Sequence, residues 1–149
     1  AMGAGAAVAQ VVNHDPPVDV LDDEFPIRLT TGRRLDSYNT GVQSGGYTSP
    51  LRRGESLDIS PEDAERYSLV DGELVRVVSR RGQLEVPVRI DTGLRPGLTF
   101  MTLHFQDDVA TNILTIDATD PKTGTAEFKA AAIRIEKLAP KAARAVSGR

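Results

Sequence analysis

Most apolar positions in this chain recur at the period of a β-strand. Leu84, Val86, Val88 and Ile90 alternate with polar residues and one proline, which sets the apolar side chains on one face of a pleated strand. Pro87, inside that run, predicts an edge position or a bulge, because proline donates no ladder hydrogen bond. Upstream, Leu74, Val75, Val77 and Val78 mix alternation with adjacent apolar residues, as in a strand buried on more than one side. The "RRGQ" between the two runs turns the chain. Shorter β-prone runs at 27–31, 57–59, 98–105 and 128–136 predict four further strands. "SPEDAERYSL" breaks the pattern and predicts a helix, with Ser60 as N-cap, Pro61 at the first helical position, and Glu62 and Asp63 in the first turn. Ser60 and Asp63 also have capping-box spacing, with Asp in place of the usual Glu or Gln. Six strands with one or two short helices suggest a small barrel carrying a helical insertion.

The two ends lack this periodicity. "AMGAGAAVAQ" is made of small residues, and its first few read as an expression remnant. "NHDPPVDVLDDEFP" is acidic and Pro-rich, which suits an extended linker, and "APKAARAVSGR" is a basic, Ala-rich stretch that suits a frayed tail. The expected division is a disordered linker or remnant over 1–24, a folded barrel over 25–138 and a flexible tail over 139–149. The chain has 149 residues, enough for one domain with a real core.

Composition then removes whole classes of function. The net charge is -3, whereas a duplex binder needs a basic surface to displace counterions. Aromatic residues make up only 5%, too few for a single-strand stacking platform; no nucleic-acid partner is expected. No apolar run approaches the ~20 residues that span a bilayer, so no membrane insertion is expected. There is no recognisable signal peptide, which makes the cytoplasm the expected location. The absence of cysteine removes disulfides, thiolate zinc, iron–sulfur ligation and thiol nucleophiles. His14 and His104 are the only histidines, and they lie too far apart in sequence for a His-rich metal motif.

No nucleophile elbow, G-x-G-x-x-G or P-loop pattern occurs. His104, in "MTLHFQDD", stands near Asp107 and Asp108, but a lone histidine at a strand end is more often a polar contact than a base. No catalytic residue is assigned. Ligand binding has better candidates. In "LTTGRRLDSYNTG", residues 29–41, Gly32 follows a strand and lets the backbone approach a ligand. Arg33 or Arg34 could grip a phosphate bidentately, and Asn39 and Thr40 add neutral hydrogen bonding. A solvated basic turn explains the same residues, and "SRRGQ" at 79–83 shows that arginine doublets alone decide nothing. Asn112 offers a carboxamide donor and acceptor. Lys129 precedes the apolar "AAAIRI" run, where it either faces a groove or lies on the surface.

Four blocks, "LTTGRRLDSYNTG", "LDISPEDAERYSLVDGELVRVVSRRGQLEVPV", "PGLTFMTLHFQDDVATNILT" and "DPKTGTAEFKAAAIRIE", occur in that order. Together they resemble the C-terminal molybdopterin-dinucleotide-binding domain of the formate dehydrogenase-like molybdenum oxidoreductases. The ending looks most like bacterial formate dehydrogenase catalytic subunits, and less like nitrate or sulfoxide reductases. The resemblance implies a mainly β fold, a double-psi β-barrel with one or two short helices. It implies binding of molybdopterin guanine dinucleotide in its bis form, with molybdenum or tungsten held by other domains. By position, Thr31, Gly32, Arg33, Arg34, Leu35, Asn39, His104, Asn112, Phe128 and Lys129 would line the dinucleotide, Arg33 being preferred to Arg34 because family members vary at the latter.

The implied partners are the remaining domains of the catalytic subunit and its iron–sulfur or diaphorase-type electron-transfer subunits. Such enzymes hold their metal through cysteine or selenocysteine, which this chain lacks, so formate oxidation would occur outside it. Two alternatives stand beside this reading: a free-standing small subunit of a formylmethanofuran dehydrogenase-type enzyme, and an interaction module that kept the barrel without the ligand.

Overall fold

The first strand, β1 (Ile27–Gly32), alternates buried and half-buried residues along its length, so Ile27, Leu29 and Thr31 point inward while Arg28, Thr30 and Gly32 face out. The computed structural model describes residues 11, 14–34, 54–105 and 109–139. Its further elements are β2 (Leu57–Ile59), α1 (Pro61–Arg66), β3 (Leu74–Ser79), β4 (Gln83–Ile90), β5 (Leu98–Thr102), a 3-10 helix (Thr111–Leu114) and β6 (Ala131–Lys137). The strands close into a barrel in the order β1-β5-β2-β4-β3-β6. The expected mainly β barrel of six strands, with few helical residues, is therefore what forms. Inside it, Leu29, Leu57, Ile59, Val77, Met101 and Ile133 make the centre of one core cluster. Among the described residues no helix is long and apolar enough to cross a membrane.

Strand direction matters most for function. β1 runs parallel to β5 and β2 runs parallel to β4, while the other four pairings are antiparallel. One end of the barrel therefore gathers the C-termini of β1, β3 and β5 with the N-termini of β2, β4 and β6. We call this end the rim.

The helix start matches its sequence signal. Ser60 adopts extended φ and ψ and its side chain accepts from the Asp63 amide at 3.1 Å. Asp63 is too short to complete a capping box on the Ser60 amide. Its carboxylate instead accepts the Ser60 hydroxyl at 3.1 Å and the Gly97 amide at 2.5 Å, which ties α1 to the turn before β5. We expect Ser60→Ala to cost about 1–2 kcal/mol, measured by urea denaturation; a loss under about 0.3 kcal/mol would show that the cap is dispensable.

Two strand ends are corrected. β5 stops at Thr102 and not at residue 105, because the Thr102 amide and hydroxyl are taken by Glu55. β6 begins at Ala131 and not at residue 128, because Phe128 and Lys129 form a turn whose Phe128 carbonyl is held by Thr31. Pro87 does not lie on an edge. Beside it, Val88 opposes two residues, its carbonyl accepting the Gly72 amide and its amide donating to the Glu73 carbonyl, both at 2.8 Å. This is the two-against-one pattern of a bulge, with Gly72 at φ 81°. Pro87 itself pairs in register with Leu74. Antiparallel ladders alternate bonded and non-bonded pairs, so the Pro87 nitrogen faces β2, whose ladder with β4 begins only at Leu57 and Val88.

The acidic stretch before β1 also differs from an extended linker over its described part. Asp19 is 3% exposed. It accepts Arg80 Nη1 at 2.6 Å, Arg81 Nη2 at 2.7 Å and the Ala132 amide at 2.7 Å. Phe25 is buried with Val78 and Ala132, and Arg80 and Arg134 lie over its ring at 4.7 and 5.1 Å. Leu35 and Asn39, like Asp107 and Asp108, fall outside the described residues.

Candidate functional site

The rim brings several of the expected residues together. Thr31 is buried and its hydroxyl donates to the Phe128 carbonyl at 2.8 Å, which seats the turn holding Phe128 and Lys129 against the end of β1. Lys129 is exposed, with Nζ 5.8 Å from the centroid of the Phe128 ring. A Cβ on Gly32 would stand 3.1 Å from Phe100 Cε2, so glycine here makes room for the Phe100 ring on the outer wall. Arg33 is exposed.

The two arginines have different surroundings. Arg34 turns its side chain onto the outer wall, where the guanidinium lies 4.9 Å from the Phe100 centroid and ion-pairs with Asp58. Asp58 is fully buried and also takes Arg89 in a fork, Nε to Oδ1 at 2.7 Å and Nη2 to Oδ2 at 2.6 Å. Ser56 adds a hydroxyl donor at 2.8 Å. Asp91 completes the group, with Arg89 Nη2 at 2.9 Å and Arg34 Nη2 at 4.0 Å. The Gly93 amide holds the Asp91 carboxyl below its ordinary value; burial opposes this, and Arg89 and Arg34 reinforce it. The Arg34 charge is thus matched by carboxylates on the wall, whereas Arg33 is exposed at the rim.

His104 is 2% exposed. Its Nε2 accepts the Arg34 backbone amide at 3.3 Å, which requires a nitrogen lone pair there and places the proton of the neutral ring on Nδ1. That arrangement supports the loop and does not expose a base. Asn112 lies on the 3-10 helix, exposed. The helix is seated on the β3–β4 turn: a Cβ on Gly82 would stand 3.0 Å from the Ile113 carbonyl, and Arg81 Nη2 donates to the Leu114 carbonyl at 2.7 Å. Asn112 therefore shares the rim with residues 31–34, but its helix is held by the turn at 80–82.

Sequence reading missed Asp19. Burial raises its carboxyl pKa, but the Arg81 hydrogen bond, the Ala132 amide and the charges of Arg81 and Arg80 outweigh it and bring the carboxyl below its ordinary value. Arg28 Nη1 donates to the Asp19 carbonyl at 2.6 Å and to the Ala130 carbonyl at 2.8 Å. These contacts hold the turn bearing Lys129 from behind. An acidic run and an arginine pair some 60 positions apart carry no local sign that they meet.

Beside this turn runs a cleft of about 650 Å3 lined by Arg28, Arg95, Lys129, His14, Thr30 and backbone-rich turns, with no carboxylate among its lining residues. In a chain of net negative charge, such a surface suits an anion. Among the described residues no group of three or more His, Asp or Glu side chains could hold a metal.

Fold and site together define a small closed β-barrel with exposed Arg33 and Lys129 near its rim and an anion-suited cleft beside the turn that holds Lys129. Residues 27–132 match the family described as "Molydopterin dinucleotide binding domain". The chain belongs to this family, the molybdopterin-dinucleotide-binding domain of the molybdenum oxidoreductases. Among curated proteins it is similar to the "F420-dependent formate dehydrogenase 2 subunit alpha" of Methanococcus maripaludis, 36% identical over 129 residues, covering 85% of this chain and 19% of the relative. It is also similar to the "Assimilatory nitrate reductase" of Haloferax mediterranei, 36% identical over 138 residues, covering 88% of this chain and 18% of the relative. Its fold is shared with the solved acetylene hydratase from Pelobacter acetylenicus, with a TM-score of 0.70 at 18% identity, over 85% of this chain and 21% of that one. The chain spans about a fifth of the length of the curated relatives it matches.

Proposed function

We propose that the barrel holds the guanine dinucleotide end of a bis-type molybdopterin cofactor within a formate dehydrogenase catalytic subunit. The observation that carries this reading is the gathering, at one barrel end, of the end of β1 at Gly32, the exposed Arg33 and Lys129 and the Asn112 carboxamide. The donor set fits the group. Cations suit a pyrophosphate, and a carboxamide suits a base edge. Thr31 and His104 act from beneath, holding the turn at Phe128 and the loop at Arg34; Leu35 and Asn39 belong to the proposed lining by sequence position.

When bound, the cofactor's molybdenum or tungsten supplies two-electron chemistry. This chain's own residues bind and orient its nucleotide end and neutralise phosphate charge. Formate oxidation, with electrons leaving through iron–sulfur or diaphorase-type subunits, is assigned to the rest of the subunit in the cytoplasm. The likeness to formate dehydrogenase alpha subunits supports formate. The nitrate reductase relatives support a second reading in which the parent reduces nitrate. Assaying the parent enzyme with formate and with nitrate separates the two.

Binding is tested on the full chain by titrating guanosine diphosphate into 15N-labelled protein. Shifts should cluster at Gly32, Arg33, Asn112 and Lys129. Arg33→Ala should weaken binding about tenfold, the worth of one charge-assisted hydrogen bond. Shifts scattered over the barrel, or an unchanged Kd in the variant, would overturn the assignment of Arg33.

A further inference from the structure

We propose that Glu55, Thr102 and His104 form a buried positioning relay that fixes the backbone at Arg34, two residues after β1; its value to the ligand rests on the dinucleotide reading above.

Glu55 is 4% exposed and sits just ahead of β2. Burying a carboxylate is costly unless it is well paired. Its partners among the described residues are neutral donors at 3.0 Å from the Ser56 amide, 3.1 Å from the Thr102 amide, and the Thr102 hydroxyl. A packing role would be served better by an apolar side chain. What a carboxylate adds is direction: its Oε1 accepts two backbone amides and its Oε2 accepts the Thr102 hydroxyl. With that hydroxyl donating to Glu55, the Thr102 oxygen is left to accept the His104 amide at 3.4 Å. His104 is thereby placed with Nε2 under the loop, where it accepts the Arg34 amide at 3.3 Å.

The relay crosses a gap that no ladder crosses. β1 and β2 are not neighbours, since β5 lies between them, and Thr102 is the last residue of β5. Glu55 at the head of β2 thus reaches the loop leaving β1 through the end of the strand between them. At Arg34 the loop is held twice, by its amide on His104 and by its guanidinium on Asp58. Arg33 lies immediately before this double anchor and is exposed. Glu55 and Thr102 touch no ligand in this scheme; they act through His104.

The test uses 15N-labelled full chain with guanosine diphosphate as the probe. In the wild type, His104 Nε2 should resonate as an unprotonated ring nitrogen and the Arg34 amide should exchange slowly. Thr102→Val keeps the β-branched shape and removes the hydroxyl; Glu55→Gln keeps the size and replaces the carboxylate with a carboxamide. Each should speed Arg34 exchange and weaken guanosine diphosphate binding by about tenfold. Thr102→Ser, which restores the hydroxyl, should return both to near wild type. Wild-type exchange and affinity in Thr102→Val would overturn the relay, as would loss of both in Thr102→Ser. If the wild-type chain binds no guanosine diphosphate, the dinucleotide reading fails. The relay then stands or falls on Arg34 exchange and the His104 nitrogen alone.

Discussion

Replacing Asp58 with alanine should lower the unfolding free energy by about 3–5 kcal/mol and the Tm by roughly 10–20 °C. The side chain is fully buried and takes two donors from Arg89, one from Ser56 and an ion pair from Arg34. Removing it leaves two guanidinium groups facing each other beside the barrel, with Asp91 the neighbouring carboxylate among the described residues. Part of the loss is recovered because Arg34 and Arg89 are 25% and 37% exposed and can rehydrate, which favours the lower half of the range. Added salt should restore little, since a buried pair is weakly screened. Urea denaturation followed by circular dichroism measures the effect. A loss below about 1 kcal/mol would mean that the cluster contributes no more than a surface ion pair.

The second large effect is at Asp19, where alanine should cost about 2–4 kcal/mol. It removes two arginine contacts and leaves the Ala132 amide without its acceptor. Here pH adds an independent check. The folded carboxyl is held below its ordinary value of 3.8, so its stabilising contribution is present above about pH 4 and is lost as pH falls through the folded pKa. The stability difference between wild type and Asp19→Asn should therefore be full near pH 6 and shrink steadily below about pH 4. A difference that stays constant down to about pH 2 would exclude ionised Asp19 as the source. Asp22 and Asp91 are lowered too, so the comparison with the variant carries the argument, not the wild-type curve alone.

These two aspartates also mark how far the sequence could be read. Where structure is decided within a few residues it was legible. Ser60 and Pro61 start α1 at the expected residue, and β2 spans the predicted 57–59. Strand ends were read less well because partners far along the chain decide them. Thr102 ends β5 through Glu55, and Phe128 stays out of β6 through Thr31. Asp19 was illegible because an acidic, Pro-rich stretch is what a linker also looks like, and its arginines arrive some 60 residues later. At the site, Arg33 and Arg34 could not be separated by local pattern; Phe100 and Asp58, which occupy Arg34, are distant in sequence. Glu55 carried no motif at all.

The two parallel pairings have a consequence for how this chain is made. β1 ends at Gly32, yet its neighbours are β5, which begins at Leu98, and β6, which begins at Ala131. β2 likewise waits for residues beyond Phe100 on neither side but needs both Val88 and Phe100 to be present. Only β3 and β4 can pair as soon as they are synthesised. On a ribosome, the first strand therefore spends most of the domain's synthesis unpaired, and the barrel closes only when its last strand emerges. Contacts this non-local make folding slow and leave a bare strand open to wrong partners in the meantime.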